Sequence, residues 1–296
     1  KLIMSHIHAI CLVKNEGDVI SQTLQFASKF CHKIYVFDTG STDDSWEQVK
    51  KSASQVVVPF RHEAVPFYDG LRAQVFNAVR DRFESGDWLY ILDADEFLAA
   101  DPRKAIRIAE QEGTQQINTI QYNFHFTELD WQQYQKGLDS RDTPIRERRR
   151  YYRFTNFEQR LFRIDADLTW SETVDADNPH GVMIPRGQQK LKKCSYKLPN
   201  CHYQYRDPEQ IQLRLETRRA ARESNTHNFI HYQSLDSDMN WQRYIFPSKQ
   251  LNYYNNDGVF EIQLAERFSI FRETFGKRDF FRFDFLAQAQ GRNNPI

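Results

Sequence analysis

An α/β fold, a mostly parallel sheet flanked by helices, is what this 296-residue sequence predicts, and three observations predict it. Over about the first hundred residues, short apolar runs alternate with stretches of helical periodicity, the pattern of strands crossing over through helices. Several of these runs stop abruptly on acidic or amide side chains: Val13 shortly before Asn15-Glu16, Phe37 before Asp38, and Leu92 before Asp93-Ala94-Asp95. The composition, 40% hydrophobic and 14% aromatic, supplies enough apolar surface for a full core, so disorder is not the default.

Residues 8–13 read as a first strand that ends in the polar loop Lys14-Asn15-Glu16-Gly17, and Ile20, Leu24, Ala27 and Cys31 then recur at helical spacing. Residues 34–37 make a second strand ending on Asp38. Gly40 supplies a turn, and Ser41 with Asp44 three residues later predicts a capping box for a helix carrying Trp46, Val49 and Ala53. Residues 56–58 form a third strand, and Leu71, Val75, Val79 and Phe83 stripe a third helix. Residues 88–92 read as a strand buried on both faces, which delivers Asp93 and Asp95 to its carboxyl end, where open α/β sheets bind ligands. Asp101-Pro102 predicts the start of another helix, and right-handed crossovers gather the strand ends on one edge.

Beyond that helix the texture changes. Tyr122, Phe124 and Phe126 alternate with Asn123 and His125, the signal of a half-exposed strand, whereas residues 128–158 are polar, aromatic and basic without periodicity. The arginines there (146, 148, 149, 150 and 153) read either as a grip on an anionic acceptor or as a solvated loop. Residues 159–164 return to strand-like alternation. Glu172, Asp175 and Asp177 then form an acidic cluster ahead of the turn signal Asn178-Pro179-His180-Gly181. Asp207-Pro208-Glu209-Gln210 has the cap, the first-turn proline and the third-position Gln of a helix start. The expected division is residues 1–205 as the sheet domain and 206–296 as a helical, aromatic-rich extension. Its densest part, Phe280-Phe281-Arg282-Phe283-Asp284-Phe285, either packs on the sheet domain or makes peripheral membrane contact.

Lys+Arg and Asp+Glu balance at 40 each, so no global field gathers nucleic acid, and no nucleic-acid partner is expected. None of Cys11, Cys31, Cys194 and Cys201 forms a Cys-x-x-Cys, which fits a reducing compartment. No run approaches the length of a membrane span and residues 1–10 lack a signal peptide's pattern. The expected location is cytoplasmic, with the inner membrane face as the place of any peripheral contact.

Two carboxylates two residues apart on an extended backbone lean the same way, and hard oxygen ligands at that spacing suit Mg2+ or Mn2+ holding a phosphate. The ordered runs Leu12-Val13-Lys14-Asn15-Glu16, Val36-Phe37-Asp38-Thr39-Gly40-Ser41-Thr42-Asp43 and Trp88 through Asp93-Ala94-Asp95-Glu96-Phe97 resemble family 2 glycosyltransferases of the GT-A fold, a Rossmann-like architecture. The resemblance implies a nucleotide-sugar donor, a UDP-sugar being favoured, and a saccharide or lipid-linked acceptor. It implies Asp38 near the base or ribose, Asn15 and Glu16 beside the nucleoside, and Asp95, helped by Asp93, holding the metal on the pyrophosphate. Arg72 resembles the family's basic position facing the donor phosphate, with a solvated helix face as the alternative. His202 resembles a late histidine ligand to the metal, with a His buried among aromatics as the alternative. Transfer would invert the anomeric centre, a carboxylate taking the acceptor proton. Relatives often carry Val-His-Glu where this chain has Val174-Asp175-Ala176, so Asp175, then Glu172, are the candidates for that base.

Two other readings remain open: a metal-dependent phosphodiesterase or nuclease built on Asp93, Asp95 and the later acids, and a catalytically degenerate protein that binds a nucleotide or glycan.

Overall fold

The computed structural model describes residues 5–68, 70–173, 183–187, 190–223 and 239–262. Asp175, Asp177, the turn at 178–181 and the Phe-rich run at 280–285 lie outside the described residues.

The protein is an α/β structure whose sheet is flanked by helices, as its sequence predicts. In chain order the elements are β1 (Ile7–Val13), α1 (Ile20–Ala27), β2 (Lys33–Asp38), α2 (Ser45–Lys51), β3 (Val57–His62), α3 (Gly70–Val79), β4 (Trp88–Asp93), β5 (Glu96–Leu98), α4 (Pro102–Glu112) and β6 (Gln116–Phe124). They continue with α5 (Glu128–Gln135), α6 (Ile145–Arg148), β7 (Tyr151–Arg163), β8 (Leu198–His202), α7 (Pro208–Glu223) and β9 (Asn252–Tyr253). The strand order is β3-β2-β1-β4-β7-β6-β8-β5, with β9 paired to β7. The first four strands are parallel. The chain builds outward from β1 to β3, then returns to the other side of β1 for β4, so a topological switch point lies between β1 and β4. From β7 onward the pairing is mixed: β7 runs antiparallel to β4 and β6, whereas β8 is parallel to β6.

Period-two alternation explains why the parallel strands are apolar throughout. Ile7, Ala9, Cys11 and Val13 of β1 face one core with Ile20 and Leu24 of α1 and Ala105, Ile106 and Ala109 of α4. Ile10 and Leu12 face the opposite core with Leu71, Val75, Phe76 and Val79 of α3. Leu89 of β4 is fully buried in that second core, and its truncation to Ala would cost about 2–5 kcal/mol.

Two predicted helix starts are present as expected. Asp101 accepts from the Arg103 N–H at 2.9 Å with Pro102 opening α4, and Gly113 closes it in the left-handed conformation. Asp207 accepts from the Gln210 N–H at 3.0 Å, while Gln210 accepts from the Arg206 N–H at 2.9 Å. The capping box at Ser41 and Asp44 does not form. Asp44 precedes α2 without a side-chain cap bond, Asp43 accepts from the Ser45 N–H, and Ser41 Oγ is taken by the Asn15 N–H. Nor is the strand at Tyr122 half-exposed. β6 lies between β7 and β8, and its aromatic face is covered by Tyr152 and by Phe260, stacked 4.0 Å from Tyr122. The extension thus folds back on the sheet as far as residue 262, since β9 pairs with β7 and Tyr254 also stacks on Phe260.

All four cysteines are free and buried. Among the described residues, no helix is long and apolar enough to cross a membrane.

Candidate functional site

The carboxyl ends of β1, β2 and β4 gather the charged groups. Asp38, the last residue of β2, is fully buried. Its Oδ1 accepts from the N–H groups of Gly40 and Ser41 at 2.9 and 2.7 Å and meets His62 Nδ1 at 3.2 Å, while Oδ2 has no partner. Gly40 makes this possible: its φ is +91°, and a Cβ there would sit 2.5 Å from the Ala64 Cα. Just past β1, Asn15 takes a left-handed conformation, φ 56°, which Asn tolerates better than most residues. Its Oδ1 accepts from the Thr42 N–H and its Nδ2 donates to Thr217 Oγ1 on α7, so one side chain braces the loop after β2 against the late helix.

Past β4 the two aspartates part company. Asp93 Oδ1 accepts from Arg72 at 2.6 Å and Oδ2 from Arg160 at 2.8 Å. Burial would raise its pKa, but the two guanidiniums hold its carboxyl well below the usual range. Asp95 Oδ2 is buried and accepts no hydrogen bond, although His202 Nε2 lies 3.4 Å away, Arg214 3.5 Å and Arg206 3.7 Å. Against the effect of burial, those three groups likewise hold its carboxyl far down. The turn at 94–95 is pinned from behind by Thr23, whose hydroxyl donates to the Ala94 carbonyl at 2.6 Å. From the front, the Tyr203 N–H donates to the Asp95 carbonyl. The β5–β8 register, which sets Glu96 opposite His202, is what brings the imidazole to Asp95.

His202 and Asp95 provide the test of a metal. His202 Nδ1 lies 3.0 Å from Asn123 Oδ1, an acceptor, which keeps the proton on Nδ1 and turns the Nε2 lone pair of the neutral ring toward Asp95 Oδ2. Two lone pairs facing each other in a buried site need a proton or a cation between them. Burial lowers the His202 pKa, but Asp95 outweighs it and raises the value overall, which is the proton's version of the same demand.

The ion pairs form two clusters: Arg72 and Arg160 with Asp93, Glu96 and Glu158, and Arg206, Arg214 and His202 with Glu16, Asp18 and Asp95. In the second cluster three carboxylates face two guanidiniums and an imidazole whose pKa Asp95 raises. Burial pushes Glu16 and Glu96 up to about 7. The donor set, one free carboxylate oxygen and one imidazole, fits Mn2+ or Mg2+ completed by phosphate oxygens.

Of the residues singled out from sequence, Glu16, Asp95 and His202 join one cluster, and Arg72 and Asp93 the neighbouring one. Asn15 braces the rim, and Asp38 stands across β1. Glu172 does not join: its carboxylate is exposed and accepts from Asn77 Nδ2 on α3 at 2.9 Å. Arg160, Arg206, Arg214, Asp18 and Glu96 are site residues that sequence reasoning missed. Arg206 is fully buried and grips both Glu16 and Asp18, from 190 and 188 residues away in the chain. No local pattern signals such a pair.

The basic stretch is neither a solvated loop nor an open anion grip. Arg148 and Arg149 are buried against Asp139, at 2.8 and 2.5 Å, with Asp207 and Asp130 as further partners. Arg150 donates to the Tyr254 carbonyl, and Arg146 and Arg153 lie over the rings of Phe26 and Phe246. Acids outside the run neutralise Arg148 and Arg149, so their charge serves the fold.

No family model matches the chain, and no curated protein matches its sequence. Solved structures with partial likeness include glucosyl-3-phosphoglycerate synthase from Mycobacterium tuberculosis with Mn2+, UDP and glucosyl-3-phosphoglycerate. There the identity is 19% over 40% of this chain and 44% of that one, with a TM-score of 0.28. S. aureus TarS 1-349 with UDP shares 12% identity over 72% of this chain and 65% of that one, with a TM-score of 0.34. The chain spans less than half the length of the mycobacterial synthase that it matches. A likeness of this size bears on neither activity nor substrate.

Proposed function

We infer that the protein is a nucleotide-sugar-dependent glycosyltransferase of the GT-A type, allied to family 2, which moves a sugar with inversion to a saccharide or lipid-linked acceptor. One observation carries the reading. Asp38 Oδ2 and Asp95 Oδ2 are buried carboxylate oxygens without hydrogen-bond partners, reached from β2 and β4 on either side of β1. Those strands lie roughly 10 Å apart, a spacing that a nucleoside diphosphate bridges from its ribose to its phosphates. The three ordered motifs that resemble family 2 fall on this same edge.

In this reading Asp38 accepts a hydrogen bond from the ribose or base, its free oxygen held in place by the two N–H groups on the other. Asp95 and His202 would hold Mn2+ or Mg2+, whose chemistry would be charge stabilisation on the leaving diphosphate. Asp93, with both oxygens engaged by guanidiniums, orients Arg72 toward the donor phosphate instead of acting as a first ligand. Arg206 and Arg214 help keep Asp95 ionised next to that site. Asp175 is assigned as the base that takes the acceptor proton, with Glu172 as the second choice. A two-metal phosphodiesterase is less well supported, because Glu16, Asp93 and Glu96 are already paired with arginines.

The test is calorimetry with UDP, with and without Mn2+, beside a donor-hydrolysis assay. Mn2+-dependent UDP binding and release of sugar from a UDP-sugar are expected. Binding without hydrolysis would favour the degenerate reading, and no nucleotide binding in Mn2+ would remove the assignment.

A further inference from the structure

The opposite end of the same strands carries a second constellation. His6 and His8 are two residues apart at the start of β1, so their side chains leave the same face. Across the β1–β4 pairing stands Asp87, one residue before β4. His8 Nε2 lies 3.1 Å from Asp87 Oδ2 and His6 Nδ1 lies 3.7 Å from Asp87 Oδ1. All three potential ligand atoms fall within 4.8 Å of one another, and no other group of three or more His, Cys, Asp or Glu among the described residues meets that test. His32 completes the cluster, its ring stacked on His6 at 4.1 Å and 5.4 Å from His8.

We propose that His6, His8 and Asp87, with His32 or water as the fourth ligand, form a structural site for a borderline transition-metal dication, Zn2+ above all, at the amino end of the central strands. The donor chemistry is the reason for that class. Imidazole nitrogen suits Zn2+, whereas an oxygen-dominated site suits Mg2+ and Mn2+. A tetrahedral Zn2+ with bonds of about 2.0–2.1 Å sets its ligand atoms roughly 3.4 Å apart, close to the separations present.

The surroundings prepare the ligands. The N–H groups of His6 and Glu84 donate to Asp87 Oδ1 and Oδ2 at 2.9 and 3.0 Å, which fixes the carboxylate and still leaves it lone pairs to give. His8 is buried, which holds its Nε2 in place against Asp87 Oδ2. His8 Nδ1 has no hydrogen-bond partner, so only Asp87 sets its tautomer, and the proton is free to move to Nδ1 when Nε2 takes a metal. The His6 ring is 47% exposed, which leaves a path for the ion. The seven-residue strand β1 separates this site from Asp95 by roughly 20 Å. The metal would therefore clamp β1 to the turn before β4 without entering catalysis.

The test is Zn2+ titration calorimetry on metal-free full-length protein at neutral pH, on the wild type, His6→Ala and Asp95→Asn. In Asp95→Asn, which removes the cation position at the carboxyl ends, one Zn2+ is expected with the affinity the wild type shows for this site, and that binding should be at least ~10-fold weaker in His6→Ala, since even losing a partner behind a ligand costs that much. His6 is exposed, so its substitution should leave the fold intact, checked by circular dichroism. Co2+ in place of Zn2+ should give a tetrahedral d–d spectrum in the wild type that fades in His6→Ala. Zn2+ binding that survives His6→Ala, that is lost in Asp95→Asn, or that fails in the wild type overturns the proposal.

Discussion

At the carboxyl ends of the parallel strands stand two ion-pair clusters, each of three carboxylates and two guanidiniums, and yet Asp38 and Asp95 each keep a buried oxygen with no hydrogen-bond donor. At the amino ends, Asp87 is met on both oxygens by N–H groups of its own backbone surroundings and by His8. The same four strands thus end in two kinds of electrostatics. One end spends ion pairs to hold groups open toward a ligand, and the other uses a carboxylate to finish the turn that starts β4. A charge that is oriented but unsatisfied marks function, whereas a charge that is satisfied locally marks the fold.

Substitutions can break this contrast. The largest effect should come from Arg206→Met, which leaves Glu16 and Asp18 without their buried cation. A loss of about 3–5 kcal/mol is expected in urea unfolding, the penalty of breaking a buried pair. Next, Asp95→Asn and Asp87→Ala should separate the two ends. Asp95→Asn should lower turnover of a UDP-sugar by roughly 10²–10³-fold with the fold retained, by analogy with the loss of one group that stabilises developing charge. Asp87→Ala should leave turnover near wild type while costing about 2–3 kcal/mol of stability, because the Glu84 N–H and His8 lose their acceptor. If both variants lost activity and stability alike, the distinction between the ends would fail.

The smallest effect is a pH dependence. Burial raises Glu16 and Glu96 from 4.5 to about 7, so the folded state holds their protons more tightly than the unfolded chain does. Their contribution to stability is fully present below pH 4.5 and is lost as pH rises through about 7. A cation beside Asp95 favours the ionised acids. Thermal melts of the metal-free protein should therefore show this component declining from about pH 5 to 8, and Mn2+ should stabilise more at pH 8 than at pH 6.

Much of the site's frame was legible because its signals are local. An apolar run that stops on an acid reads as a buried strand with a functional end, as at Phe37-Asp38 and Leu92-Asp93, and Asp101-Pro102 and Asp207-Pro208 read as helix starts for steric and hydrogen-bonding reasons. What stayed hidden depends on partners far along the chain. Arg148 and Arg149 looked like exposed charge until Asp139 and Asp207 were placed beside them. β6 looked half-exposed because the aromatic cover supplied by Phe260 comes more than a hundred residues later. Ser41 looked like a cap because nothing nearby declared that Asn15 would claim its hydroxyl. The His-x-His at the start of β1 was in plain view, but its carboxylate partner lies 79 residues from His8.

Arg206 has a further consequence in the order of events during folding. Glu16 and Asp18, in the loop after β1, share the buried Arg206 as a counter-ion from 190 and 188 positions later in the chain. Contacts of such sequence separation close late, after the sheet has assembled around them. Until Arg206 is in place, those two acids lack the buried cation they share, and the donor edge cannot form. The competence to bind a ligand at that edge is thus a report that the whole sheet has closed, which makes ligand binding a sensitive probe of complete folding.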